Sequence, residues 1–156
     1  MLAQVKTVQQ AFAVARINAI KGGQPVAVSI QNINGVPTLV AWVDADGQQD
    51  FDNGTERVVG RWTIRTAFTV SEDPTLRFHN LGGVGGPNGA LFLPTGAALV
   101  AEGGTAGVGE AGMIISDIKG NQLRLRIQAG TGSVIQEMRI PDTSDWDARA
   151  SRYWRY

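Results

Sequence analysis

Hydrophobic and polar positions divide the chain into one helical segment followed by many short strands. In residues 2–21, apolar side chains recur every three or four positions, which predicts an amphipathic helix. The stripe is formed by Leu2, Val5, Val8, Phe12, Ala15 and Ala19. Ile17 and Ile20 are expected to widen it. Gly22-Gly23 followed by Pro25 predicts the end of the helix, because glycine accepts the left-handed cap and proline cannot continue a helix.

After Pro25 the apolar period changes to two, which is typical of strands. Residues 26–30 and 36–43 flank Asn34-Gly35 and are predicted to form a hairpin. Further strands are predicted at 61–65, 76–78, 90–93, 97–101, 113–116, 123–127 and 134–140, and glycine-rich loops at 82–89 and 103–112. Helices do not alternate with strands, so the pattern predicts an α+β fold with an N-terminal amphipathic helix packed on an antiparallel, two-sheet β domain. We divide the chain into a helix (1–23), a β domain (24–140) and a C-terminal tail (141–156).

Composition narrows the classes of function. The 156 residues suit one domain with a core of its own. Fourteen basic and 14 acidic residues balance, so nucleic acid or anionic lipid would have to be attracted by a local patch. The absence of cysteine excludes disulfides, thiolate metal sites and cysteine nucleophiles. No apolar run reaches the roughly 18 residues that span a membrane.

Four segments, in order, resemble the GspH/FimT family of minor pseudopilins of type II secretion and type IV pilus systems. Residues 15–26 are similar to the family's helix-to-strand junction, from Ala15-Arg16 to Pro25-Val26. Residues 42–57 resemble the family's loop that contains a tryptophan and aspartates. Residues 92–96 resemble its Phe-x-Pro-x-Gly turn, and residues 115–125 resemble a hairpin that occurs late in the family's sequences.

The resemblance implies a pilin-like fold and a structural role. The chain would assemble with other major and minor pseudopilins or pilins, in the envelope of a bacterium, and it would not be an enzyme. The family begins with a cleavable leader and a hydrophobic half-helix that are not found in residues 1–156. Residues 2–21 are therefore expected to be the second half of a longer spine helix, whose first half anchors the protein in the inner membrane with the globular domain in the periplasm.

Two motifs that suggest catalysis or nucleotide binding are interpreted as structural. Residues 107–112 match G-x-G-x-x-G, but that motif needs a helix after it, and a strand is predicted at 113–116. His79 is the only histidine. Ser71, Asp73 and His79 include the residue types of a hydrolase triad, but we interpret His79 as a solvated or hydrogen-bonded loop residue. No cofactor is therefore predicted, with calcium as the one candidate.

The calcium candidate is an acidic loop. Asp44, Asp46, Asp50 and Asp52 place four carboxylates within nine residues, and hard oxygen ligands on a flexible loop suit calcium. The spacing is not that of an EF-hand, because Thr55 stands at the twelfth position. The alternative is a solvated loop whose short polar side chains form turns.

The C-terminal tail is the candidate for DNA binding. The proposed contact residues are Arg149, Arg152, Tyr153, Trp154 and Arg155, since guanidinium groups pair with phosphates and aromatic rings stack on bases. Some pilus-side members of the family are DNA-uptake receptors with a basic C-terminal region, so the resemblance adds a pilus-tip DNA receptor as the alternative function. Arg61, Arg65, Arg124 and Arg126 would extend the patch if their strands are neighbours. The alternative to DNA binding is that Trp154 and Tyr156 pack on a sheet edge while the arginines of the tail are solvated.

Overall fold

The computed structural model describes residues 2–49, 56–81, 87–140 and 143–148. Helix α1 spans Leu2–Gly22. The strands are β1 (Val26–Ile33), β2 (Val36–Val43), β3 (Val58–Thr63), β4 (Phe68–Glu72), β5 (His79–Asn80), β6 (Asn88–Phe92), β7 (Ala98–Leu99), β8 (Glu110–Asp117), β9 (Gln122–Gln128), β10 (Val134–Arg139) and β11 (Trp146–Asp147). In the described part of the chain, no helical segment combines the length and the hydropathy that a membrane-spanning helix requires.

The predicted helix is confirmed, and one stripe of it is buried. Five members of the stripe are at most 1% exposed: Val5, Val8, Phe12, Ala15 and Ala19. Ile17 and Ile20 are 46% and 44% exposed, so the expectation that they widen the stripe is wrong. Ile17 is two residues from both Ala15 and Ala19, about 200° away around the helix. Its side chain therefore leaves on the opposite face.

The strands form two antiparallel sheets, as predicted. Sheet A has the order β3-β2-β1-β6-β5, with β7 also paired to β6, and sheet B has the order β11-β10-β9-β8-β4. The first hairpin turns at Asn34 and Gly35, whose φ angles of 52° and 80° fit the two-residue turn that matches the twist of paired strands. β1 and β6 are not consecutive in the chain but pair antiparallel, with Val26 opposite Phe92 and Ser29 opposite Gly89.

Several strand boundaries differ from the sequence prediction. β4 was not predicted, although Phe68 and Val70 alternate with exposed polar residues. Residues 76 and 78 form only isolated bridges, and the strand starts at His79. β8 begins at Glu110, inside the predicted glycine-rich loop, and β6 begins at Asn88, inside the other. The strand that follows Gly109 confirms that G-x-G-x-x-G does not open a helix here.

The main core lies where the buried stripe of α1 meets the inner faces of both sheets. Phe12 sits at its centre, stacked on Phe78 at 6.2 Å between ring centroids and edge-on to Phe92 at 6.4 Å. A second apolar cluster lies on the outer face of sheet A around Trp42, which is fully buried. Sheet A is thus covered on both faces, whereas the outer face of sheet B carries charged residues.

Candidate functional site

The acidic loop places three carboxylates together at the end of β2. Oxygen atoms of Asp44, Asp46 and Glu56 all lie within 4.8 Å of one another. Glu56 was not among the predicted ligands, because the linear spacing gave it no calcium position. It reaches the cluster because the loop returns to β2, where the Val43 amide donates to the Arg57 carbonyl at 2.9 Å. Asp50 and Asp52 lie outside the described residues.

Burial makes the ionised form of Asp44 unfavourable. Asp44 is only 4% exposed, and its carboxylate accepts a hydrogen bond from the Gln49 amide at 3.1 Å. Loss of hydration raises the pKa of Asp44, and the neighbouring Asp46 carboxylate raises it further. A divalent cation would relieve both effects, and three carboxylate oxygens are ligands that calcium accepts. Calcium binding at this loop stays a prediction.

We expect millimolar calcium to raise the melting temperature of the protein, because a ligand that binds only the folded state stabilises it by mass action. The shift should be larger at pH 7.5 than at pH 5. Asp44, whose pKa is raised in the folded state, destabilises the empty fold above that pKa and does so less as the pH falls. Combining Asp46→Asn with Glu56→Gln should remove the shift, whereas Asp145→Asn, an exposed aspartate elsewhere, should keep it. An unchanged melting temperature in wild-type protein would end the calcium hypothesis.

His79 holds the acidic loop against sheet A. Its Nε2 atom lies 2.7 Å from Oε1 of Gln49, which confirms a hydrogen-bonded histidine. Burial lowers the pKa of His79, so the ring is neutral near pH 7. Asp73, the acid of the possible triad, bonds instead to Thr75 and Arg124. The described structure therefore does not bring a histidine and an aspartate together as a catalytic pair.

An ion cluster occupies the outer face of sheet B and is centred on Arg124. One guanidinium nitrogen lies 2.7 Å from Oδ2 of Asp73 and another lies 3.1 Å from Oε1 of Glu137. The side chains of Arg124, Asp73 and Glu137 are 12%, 5% and 11% exposed, respectively. The guanidinium also stacks 4.7 Å above the ring of Trp146. Arg124 thus ties β9, β10, the segment after β4 and the short strand β11 to one another.

Gly112 on β8 leaves room for this arrangement. A Cβ atom there would approach the Asp73 Cβ to 3.1 Å and the Arg124 Cδ to 3.2 Å.

Arg126, the second arginine of β9, also lies beside carboxylates. Its Nε atom is 3.3 Å from Glu110 Oε2 and 3.1 Å from Glu137 Oε1. This nitrogen forms no hydrogen bond, so these contacts are ion pairs only. Both arginines of β9 are therefore engaged with carboxylates.

The proposed extension of a DNA patch is wrong. It required the strand of Arg61 to be a neighbour of the strand that carries Arg124 and Arg126, but β3 belongs to sheet A and β9 to sheet B. The five candidate contact residues of the tail, from Arg149 to Arg155, lie outside the described residues. The beginning of the predicted tail is ordered on the β domain, because β11 pairs with β10.

A cleft of about 460 Å³ opens between the two sheets. Its apolar lining includes Phe12, Val28, Ile30, Phe78 and Met113. Its acidic residue, Glu72, accepts hydrogen bonds from the Phe78 amide at 3.1 Å and from the Asn88 amide group at 3.1 Å. Glu72 also pairs with Arg77 at 3.1 Å. The polar groups described around the cleft support its walls and do not form an acid–base pair for catalysis.

The fold is that of a pilin-like protein with two sheets. One similar solved structure is the minor pseudopilin EpsH from the Type 2 Secretion System of Vibrio cholerae, with 13% sequence identity and a TM-score of 0.51. The alignment covers 88% of this chain and 94% of EpsH. At this identity the similarity establishes the fold. No curated protein sequence matches the chain significantly.

Family assignment comes from the sequence itself. Residues 4–132 match the family model for the type II transport protein GspH. The match begins near the start of α1 and ends after β9, so it includes the helix, sheet A and the greater part of sheet B. It supports the secretion role and gives no support to the alternative of a DNA receptor. The chain belongs to the GspH family of type II transport proteins and has the role of a minor pseudopilin in type II secretion.

Proposed function

We propose that the chain is a structural subunit whose helix packs against the helices of other pseudopilins. In this arrangement the start of α1 points toward the inner membrane and the β domain lies in the periplasm. The subunit contributes contacts to a pseudopilus and carries out no catalysis. The family match supports the assembly role, and the outer face of α1 suggests which surface is used.

The observation that carries the proposal is a second stripe on the helix, opposite the buried one. The residues of this outer stripe are all exposed and follow alternating spacings of three and four: Ala3, Lys6, Gln10, Ala13, Ile17 and Ile20. That spacing keeps side chains on one face of a helix and is the spacing with which two helices pack together. The half nearer the C-terminus is apolar, and Ile17 and Ile20 are nearly half exposed. A helix with two such stripes can bind its own β domain and a neighbouring helix at once.

Ile17→Asp is expected to abolish secretion through the type II system in the bacterium that produces the protein. A carboxylate on the outer stripe would lose its hydration when another helix packs on it. The fold should be retained, because the side chain already faces solvent. Val108→Asp introduces the same charge at another exposed apolar residue, away from the helix, and should leave secretion intact. A photo-crosslinking amino acid at position 17 should capture other pseudopilins.

Two outcomes would contradict the proposal in different ways. If deletion of the protein leaves type II secretion unchanged, the subunit has no role in that machine in that bacterium. If deletion abolishes secretion but Ile17→Asp does not, the subunit is required and the outer stripe is not its contact surface. Melting curves for both variants separate these outcomes from misfolding.

A further inference from the structure

The end of the molecule at which α1 begins brings together segments from both sheets. We call it the proximal end, and it consists of the first turns of α1 (3–6), the β1–β2 turn (34–36), the β3–β4 link (64–67) and the β8–β9 turn (117–121). Gln4 accepts a hydrogen bond from the Arg65 amide at 2.9 Å, which joins the helix to the link. Phe68, which follows the link, pairs with Asp117 at the edge of the β8–β9 turn.

Two exposed apolar side chains project from this end. Ile118, at the tip of the β8–β9 turn, is 85% exposed, and Val36, beside the β1–β2 turn, is 39% exposed. Val36 belongs to the proximal end because its neighbour Pro37 accepts a hydrogen bond from the Ile64 amide at 3.0 Å. Single exposed apolar residues are common on soluble proteins, so Ile118 gains significance only from its surroundings.

The turn that carries Ile118 is held firmly. Asp117 Oδ1 accepts hydrogen bonds from the Lys119 and Asn121 amides, both at 2.9 Å, and its Oδ2 accepts one from the Asn121 side chain at 2.9 Å. Burial alone would raise the pKa of Asp117, but these hydrogen bonds hold it below its usual range. The carboxylate is therefore used within the turn, while Ile118 and Lys119 point outward.

Exposed basic residues surround the two apolar tips. Those described at the proximal end are Lys6, Arg65, Lys119 and Arg139. Arg139 belongs to this group because it bonds at 2.6 Å to Gln122, the first residue of β9. Asp145 is an exposed acid nearby. The acidic cluster of Asp44, Asp46 and Glu56 lies at the opposite end of β2.

We propose that the proximal end rests on the surface of an anionic phospholipid bilayer. Basic side chains close to such a surface are attracted to lipid phosphates, and an apolar tip flanked by them enters the boundary between headgroups and acyl chains. The orientation agrees with α1, whose start lies at the same end. The proposal rests on the proposed function, in which the start of α1 points toward the inner membrane. An acidic surface of a partner protein is the competing occupant, and the test separates the two.

The test is co-sedimentation of the intact chain with vesicles of phosphatidylglycerol and phosphatidylcholine, and with vesicles of phosphatidylcholine alone. We expect binding to the anionic vesicles only, weakening as salt is added because the charges are screened. Ile118→Asp should lower the partition coefficient at least about ten-fold, whereas Val108→Asp should leave it unchanged. Lys6→Gln should lower it about five-fold, which corresponds to about 1 kcal/mol per basic residue. Lys21→Gln is the same substitution at the other end of the same helix, and it should leave the partition coefficient unchanged.

Absence of binding to anionic vesicles at low salt would overturn the proposal and leave a partner protein as the occupant of this end. Equal losses for Ile118→Asp and Val108→Asp, or for Lys6→Gln and Lys21→Gln, would also overturn it, because binding would then depend on net charge alone. The secretion and crosslinking experiments on Ile17 involve no vesicles. A failure here therefore does not affect the assembly role, and a failure there does not affect this result.

Discussion

Phe12→Ala is expected to lower the free energy of unfolding by about 3–5 kcal/mol. The ring is 1% exposed and lies between α1 and both sheets, in contact with Phe78 and Phe92. Truncation removes buried apolar surface and leaves a cavity that the rigid sheets cannot fill. For a chain of this length, each kcal/mol of lost unfolding free energy lowers the melting temperature by about 2–4 °C, so it should fall by roughly 6–20 °C.

Ile17→Ala is the matched control, because it truncates an apolar side chain on the opposite face of the same helix. Its effect should be within about 0.5 kcal/mol, as for most surface substitutions. Thermal melts followed by circular dichroism at one protein concentration give both values. Equal losses in the two variants, or none in Phe12→Ala, would show that the helix does not dock on the β domain through this ring.

Arg124→Ala should have an effect of similar size, about 3–5 kcal/mol, although the residue lies on the outer face of sheet B. The substitution leaves the buried carboxylates of Asp73 and Glu137 without their main partner. It also removes the cation under Trp146, which helps to hold β11. The measurement is urea unfolding at pH 7, with near-ultraviolet circular dichroism as a probe of the tryptophan environment.

The loss should depend on pH in a defined direction. Burial alone would raise the pKa of Asp73, but hydrogen bonds from Arg124 and Thr75 hold it below the ordinary value. In wild-type protein this carboxylate therefore adds stability above about pH 4, its ordinary pKa, and the contribution is lost as the pH falls through the lowered folded value. In Arg124→Ala the effect of burial remains without the arginine, so the stability difference between the two proteins should shrink as the pH falls below about 4.

Two further variants test whether the buried charges cause the effect. Arg139→Ala removes an exposed arginine that bonds Gln122 and should cost less than about 1 kcal/mol. Adding Asp73→Asn to Arg124→Ala should restore part of the lost stability, because the unpaired buried charge is removed. If the single and double variants are equally unstable at every pH, packing of the arginine stem matters and its charge does not.

Local sequence patterns predicted the elements that depend on local chemistry. The helix was predicted at 2–21 and spans Leu2–Gly22, because the period of its stripe and the Gly22-Gly23 stop both lie within the segment. The turn at Asn34-Gly35 was predicted because these residues accept positive φ angles. β4 was not predicted, although Phe68 and Val70 alternate with Thr69 and Ser71. Its strand conformation is stabilised by pairing with β8, about 40 residues later in the chain.

The candidate sites were predictable only in part. Asp44 and Asp46 are near neighbours in sequence, but Glu56 joins them only because the loop folds back on β2. In the strand predicted at 123–127, Leu123, Leu125 and Ile127 alternate with polar residues, and Arg124 lies on the face opposite these buried side chains. Its partner Asp73 is 51 positions away, and no linear pattern indicates that pairing.

The sequence by itself determined the fold class, the family and which residues of each element share a face, because side-chain direction follows the local period of helix or strand. Only the tertiary structure decided which of those faces are covered. Ile17 and Ile20 are apolar yet exposed, and Gln4 is polar yet buried, since the sheets cover one stripe of α1 and the Arg65 amide provides the hydrogen bond that a buried Gln4 requires. Burial and ion pairing depend on contacts between distant segments, and these contacts exist only once the helix and the two sheets have packed together.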